Sequence, residues 1–169
     1  MTTPLGTLVR GLAAGAAGTL TMDLVWFARY KRGGGQQSFF DWEFSVGLDD
    51  WSKASAPGQL GKRIYEALFR RELSARYAAL TNNIMHWSYG VGWGGLYGIL
   101  AGSRPHLLSG LPFGAFVWGT SYVVLPPTGL YKPIWEYDLS TLWQDLSAHL
   151  AYGMGTSTTF GVLSRGRER

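Results

Sequence analysis

The chain has 169 residues, 24 of them glycine and none cysteine, and its 15 Lys+Arg and 11 Asp+Glu amount to only 15% of the composition, where soluble domains run near 25%. The charges are also unevenly placed: stretches 77–103, 105–131 and 146–164 carry none, and 11–28 carries only Asp23. A bilayer core about 30 Å thick needs roughly 20 mostly apolar helical residues, so this distribution argues against a soluble globular enzyme, a disordered chain and a nucleic-acid binder.

The expected fold is all-α: an integral membrane four-helix bundle made of two tandem helix hairpins, forming one domain over residues 1–169. Helix one is predicted over about 5–29, with Pro4 able to start it. Arg10 lies inside its apolar run, and Ala28-Arg29-Tyr30-Lys31-Arg32 follows without a small-residue cleavage site, which reads as a retained helix rather than a signal peptide. An insert of about 33–74 comes next, broken by Gly33-Gly34-Gly35. Within it, 57–72 reads as an amphipathic helix with Leu60, Ile64 and Leu68 on one side, suited to lying in the membrane interface or to capping the bundle. Helix two is predicted over about 75–101 with Ser74 as N-cap, helix three over about 107–125 before Pro126-Pro127, and helix four over about 142–163. Trp42, Trp51, Trp87, Trp135 and Trp143 fall near the long-loop end, as in an interfacial belt.

Self-comparison shows a duplication. His86-Trp-Ser-Tyr89-Gly90-Val-Gly92 recurs as His149-Leu-Ala-Tyr152-Gly153-Met-Gly155, and Asn82 aligns with Asp145 at the same offset. Gly11-Leu-Ala-Ala-Gly15-Ala16 matches Gly110-Leu-Pro-Phe-Gly114-Ala115, and each is followed by a Trp-Glu-aromatic triplet, Trp42-Glu43-Phe44 and Trp135-Glu136-Tyr137. The two glutamates are expected to do equivalent jobs. The copies point the same way, so they should be related by an axis along the membrane normal.

Small residues repeat every four positions: Gly11, Gly15, Thr19 and Asp23 in helix one; Asn82, His86, Gly90, Gly94, Gly98 and Gly102 in helix two; Asp145, His149, Gly153, Ser157 and Gly161 in helix four. Such rows let helix backbones approach closely, and each ends in a polar or ionisable group at one end of the bundle. Asp23, Asn82, His86, Asp145 and His149 therefore form the candidate intramembrane polar site. Four uses fit it: a hydrogen-bond network locking the repeats together, a proton or ion site with histidines titrating near neutrality, haem ligation by the paired His86 and His149, and a divalent metal held by Asp23, His86 and His149. No nucleophile–base pair, phosphate loop or dinucleotide fingerprint occurs, so no catalytic residue is expected.

Gly110-Leu-Pro-Phe-Gly114-Ala115, Pro126-Pro127-Thr128-Gly129-Leu130 and Leu146-Ser-Ala-His149-Leu150-Ala-Tyr152, together with Gly11-Leu-Ala-Ala-Gly15, resemble stretches of the YagU-like bacterial inner-membrane proteins. The resemblance implies a multi-pass inner-membrane protein with cytoplasmic termini. A plain count of Lys and Arg points the other way, placing the long loop in the cytoplasm. The expected function is non-enzymatic and cofactor-free: assembly as a homo-oligomer or as an accessory subunit of a membrane complex, in contact with lipids and not with nucleic acid. A small proton, ion or solute transporter and a haem- or metal-binding bundle are the alternatives.

Overall fold

Pro4, with no N–H to lose at a helix start, follows Thr3, whose hydroxyl accepts from the Gly6 N–H, and together they open α1 (Pro4–Arg32). The computed structural model describes residues 3–101 and 109–165. After α1 come α2 (Phe39–Glu43), α3 (Ala56–Phe69), α4 (Ala78–Ala101), α5 (Gly110–Val124) and α6 (Leu139–Arg165), joined by loops and short 3-10 turns. Among the described residues the chain is all-helical, without strands. Gly102 and the predicted start of helix three at 107–108 lie outside the described residues.

The predicted boundaries shift modestly. Helix one extends to Arg32, helix four starts at Leu139, and Ser74 precedes a 3-10 turn (Ala75–Tyr77) rather than capping α4 directly. Only α1 is long and apolar enough to cross a membrane by length and composition among the described helices. Four charge-free runs do not make four strongly apolar helices. α4 spends positions on Asn82, Asn83, His86 and a string of glycines, α6 on Ser and Thr, and α5 is 15 residues long as described.

α1 is the central element, packed along α4 on one side and α6 on the other, while α5 lies along α6. Small residues set these approaches. A Cβ at Gly15 would fall 2.6 Å from the Gly90 carbonyl oxygen and 2.8 Å from Gly94 Cα, and one at Gly11 would fall 2.9 Å from Gly98 Cα. On the opposite side of α1, Gly18 meets Tyr152 and Thr156 of α6. Between α5 and α6, a Cβ at Gly153 would lie 2.9 Å from Gly114 Cα, and Gly110 abuts Gly153 and Ser157. Gly161 is buried in the same helix. Matched pairs of the two sequence copies therefore meet, Gly15 with Gly90 and Gly114 with Gly153. The second hairpin is slid about one turn, so that Gly114 also lies against His149.

α4 and α5 keep their backbones farther apart and meet through rings: Trp93 with Phe113 and Phe116, and Tyr97 with Phe113 at 4.8 Å between centroids. The core is small and partly polar, with Ala14, Thr19, Thr156, Ser157, Tyr152 and Phe160 fully buried. Thr19 and Thr156 donate to carbonyls one turn back in their own helices, at 2.9 Å each, which satisfies a buried hydroxyl without a partner helix. Large apolar side chains face outward instead, among them Leu100 (73% exposed), Val123 (74%), Phe116, Ile84 and Val162.

α3 packs on α4 through its small face: Gly58 lies against Asn82, and Gly61 against Thr81 and Met85. Its predicted apolar stripe is only partly used, since Ile64 and Leu68 are exposed. Asn82 Nδ2 donates to Ser45 Oγ, Ser55 Oγ donates to Asn82 Oδ1, and Asn83 Nδ2 donates to the Phe44 carbonyl, latching the insert onto α4.

These distances predict opposite outcomes for two glycines of one helix. Gly94→Ala places a methyl against the Gly15 backbone, which cannot rotate away, and should cost about 1–3 kcal/mol. Gly92→Ala meets nothing within 4 Å and should be neutral or gain up to about 1 kcal/mol of helix propensity. Thermal unfolding of both variants in one detergent decides it; equal Tm values would mean that backbone approach does not limit this packing.

Candidate functional site

α1 carries Asp23 about 13 Å from its Arg32 end, at 1.5 Å per residue. The Gly11–Gly15–Thr19 row turns it toward α4, where His86 stands. His86 Nε2 lies 3.0 Å from both Asp23 carboxylate oxygens. The third member comes from the insert. α2 is a single turn started by Ser38, whose hydroxyl accepts from the Asp41 N–H, and it ends at Glu43. Phe27, Tyr30, Phe39 and Trp42 pack their rings together beneath it and press Glu43 into the bundle. Glu43 Oε1 accepts from Trp87 Nε1 at 3.0 Å. Ligand-type atoms of Asp23, Glu43 and His86 all lie within 4.8 Å of one another, with Asp23 only 4% and Glu43 only 8% exposed.

The equivalent place in the second hairpin is built differently. Tyr122, the match of Asp23, donates to Asp145 Oδ2 at 2.9 Å. His149 Nδ1 sits 2.9 Å from the Asp145 carbonyl oxygen and 3.3 Å from its carboxylate. Leaving Glu43 of the insert aside, the helices of each hairpin thus hold one carboxylate at this level, on the first helix in one copy (Asp23) and on the second in the other (Asp145). The one-turn slide accounts for the change of partner, since Tyr122 reaches the position matching Asn82 rather than the one matching His86. Asn82 itself serves the insert latch and does not join the cluster.

The sequence expectation therefore needs two corrections. Glu43 and Glu136 do not do equivalent jobs, because Glu136 is exposed and Trp135 is 81% exposed, while Glu43 is buried beside Asp23. The extra residues of the first copy fold α2 back over the bundle, and the short second loop cannot. The three-ligand group also contains Glu43 in place of His149. His86 and His149 do border a common cavity with Tyr89, Gly90 and Tyr152, but its volume is about 30 Å³, room for a water or two and not for a haem between the two rings. Asp23, Glu43 and His86 are of the types that hold a divalent cation. Trp87 Nε1 donates to Glu43 Oε1, and His86 Nε2 lies within hydrogen-bond distance of both Asp23 carboxylate oxygens.

Burial, and next the charge of Asp23, push the Glu43 carboxyl from its ordinary range near 4.5 up to about 7. A raised acid holds its proton more tightly when folded. Its contribution to stability is complete below about 4.5, is lost as pH rises to about 7, and is flat beyond. Comparison with protein-family models, curated proteins and solved structures finds no match for this chain.

Glu43→Gln keeps the acceptor for Trp87 and removes the titration. The variant should unfold at the same temperature as wild type near pH 4.5 and at a higher one at pH 8, the gap reaching at most about 3 kcal/mol. Melting curves of both proteins across pH 4.5–8 check this, and a gap that stays constant with pH would show that Glu43 is ionised throughout.

Proposed function

We propose that the chain is a multi-pass protein of the bacterial inner membrane, crossing it with α1, α4, α5 and α6, and that Asp23, Glu43 and His86 form the proton-exchange site of a small proton-coupled carrier. The carrying observation is that two carboxylates, both more than nine-tenths buried, converge with one imidazole in a place where a single proton decides the net charge. In a low-dielectric interior two adjacent carboxylates cannot both stay ionised without compensation, so the cluster exchanges a proton rather than holding a fixed charge.

The membrane placement is supported by the distribution of side chains. Leu5, Leu100, Phe116, Val123 and Val162 face outward, while Thr, Ser and Asp line the interior, the reverse of a water-soluble core and the arrangement lipid favours. The resemblance to the YagU-like proteins agrees with an inner-membrane location. Among the described residues, the glycine rows that suggested an assembly role are used inside the chain, Gly11, Gly15, Gly90, Gly94 and Gly98 between α1 and α4 and Gly153 between α5 and α6.

Vesicles containing the purified protein and a trapped pH dye should show proton movement under an imposed gradient. Asp23→Asn and His86→Ala should each lower its rate at least tenfold, with Gly92→Ala as the unchanged control; rates equal to wild type in both site variants would remove the proton role. Orientation is tested separately. With the termini cytoplasmic, a cysteine replacing the exposed Lys53 should react with an impermeant maleimide in intact cells. Reaction only after permeabilisation would reverse the topology.

A further inference from the structure

A second cavity, of about 290 Å³ and open to the outside, lies between the Trp26 region of α1 and the start of α6. Three tyrosines wall it: Tyr122, Tyr131 and Tyr137, with ring centroids 5.3–6.2 Å apart and planes inclined at 58–90° to one another. Trp26 adds a fourth ring, and Asp145 is the one charged residue in the lining. Three rings turned at steep angles do not stack into one another. Packed edge to face and at tilted angles, they line the cleft with aromatic surface together with Trp26, and a carboxylate stands beside it. We propose that this cleft binds a small organic cation of the alkylated-ammonium class, held by cation–π contact with the rings and by the charge of Asp145.

The chemistry of each component fits. Ring faces attract a cation within about 6 Å of their centroids, most strongly where water is displaced. Burial, together with the nearby charge of Asp145, pushes the Tyr131 phenol up to about 12, so at physiological pH it stays a neutral ring and adds no anion to the lining. Asp145 is oriented by the Tyr122 hydroxyl at 2.9 Å, and His149 Nδ1 lies 2.9 Å from its carbonyl oxygen and 3.3 Å from its carboxylate. The region already shows the interaction: the Arg29 guanidinium stands 4.9 Å from the Trp26 ring centroid. Arg29 is tied to the Gln144 carbonyl and to Ser147 Oγ, which fixes it to α6 outside the tyrosine walls. The remaining charges nearby, Lys132 and Asp138, are exposed and opposite in sign. An alkylated ammonium suits the space better than a metal ion. The cleft offers one carboxylate and broad apolar faces, whereas a divalent metal needs several oxygen or nitrogen ligands.

The proposal concerns binding and stands whether or not the Asp23 cluster moves protons. Its test is equilibrium dialysis of the detergent-purified protein with radiolabelled choline, competed by 3,3-dimethylbutan-1-ol, the neutral isostere of the same shape. Wild type should bind choline saturably, and the isostere should compete at least tenfold more weakly. Asp145→Asn and Tyr131→Ala should each weaken binding about tenfold, while Tyr131→Phe, which keeps the ring, should bind within about twofold of wild type. Unchanged melting temperatures identify variants that have kept their fold, and for any that has not, the comparison of choline with its isostere in wild type decides alone. Equal competition by the neutral compound, or no saturable binding up to millimolar choline, would overturn the proposal.

Discussion

The architecture depends on how closely α1 can approach its two neighbours. Gly11 and Gly15 on one side and Gly18 on the other bring α4 and α6 to backbone contact, and small residues at this spacing are what allow so close an approach. The polar site follows from it. Asp23 lies on the same row two turns beyond Gly15, so the register that closes the glycine seam also places its carboxylate against His86. Shifting α1 by a single residue would turn Asp23 through about 100° and leave both groups unpaired.

The duplication sets a frame that the two halves fill unequally. The same glycine pairing recurs in α5 and α6, yet the carboxylate changes helix between copies. One copy pairs it with a histidine across the helix interface, and the other with a tyrosine. The insert accentuates the difference. It brings Glu43 down onto the first copy, while in the second copy the shorter loop contributes Tyr131 and Tyr137 and leaves a cleft open. A buried three-membered cluster and an aromatic cleft thus arise from matching positions of one repeated hairpin.

Much of this was legible in the sequence because period-four spacing of small residues has a direct geometric meaning. It identified the helices, the packing faces, and the convergence of Asp23 with His86 and of Asp145 with His149. Glu43 was legible as a repeated motif but not as a member of the cluster, because its position depends on how Phe27, Phe39 and Trp42 fold a one-turn helix back over the bundle, and no local pattern encodes such a return. The reversed role of Glu136 was hidden for the same reason. Charge-free length overstated membrane-crossing strength, since Asn, His and Gly in α4 are uncharged without being strongly apolar. The one-turn slide between hairpins is set by Ser157 and His149 packing against Gly110 and Gly114, pairwise fits that appear only once the helices are in place.

The edge between α4 and α5 differs in kind from the others. Elsewhere the helices are locked by interpenetrating backbones, which permit neither separation nor sliding without loss of contact along their whole length. Along this edge, among the described residues, Trp93, Tyr97, Phe113 and Phe116 meet through their rings, with hydroxyl contacts from Tyr89 to Thr120 and from Tyr97 to Ser109, and a ring can swing on its χ angles while its neighbour stays in van der Waals range. The small cavity bordered by His86 and His149 is lined in part by Tyr89 of α4 and Val117 of α5, directly behind this edge. The bundle therefore resembles a book bound along α1 and α6 with its fore-edge at α4 and α5. Separation of α4 from α5 along that edge would open the cavity that the two imidazoles border.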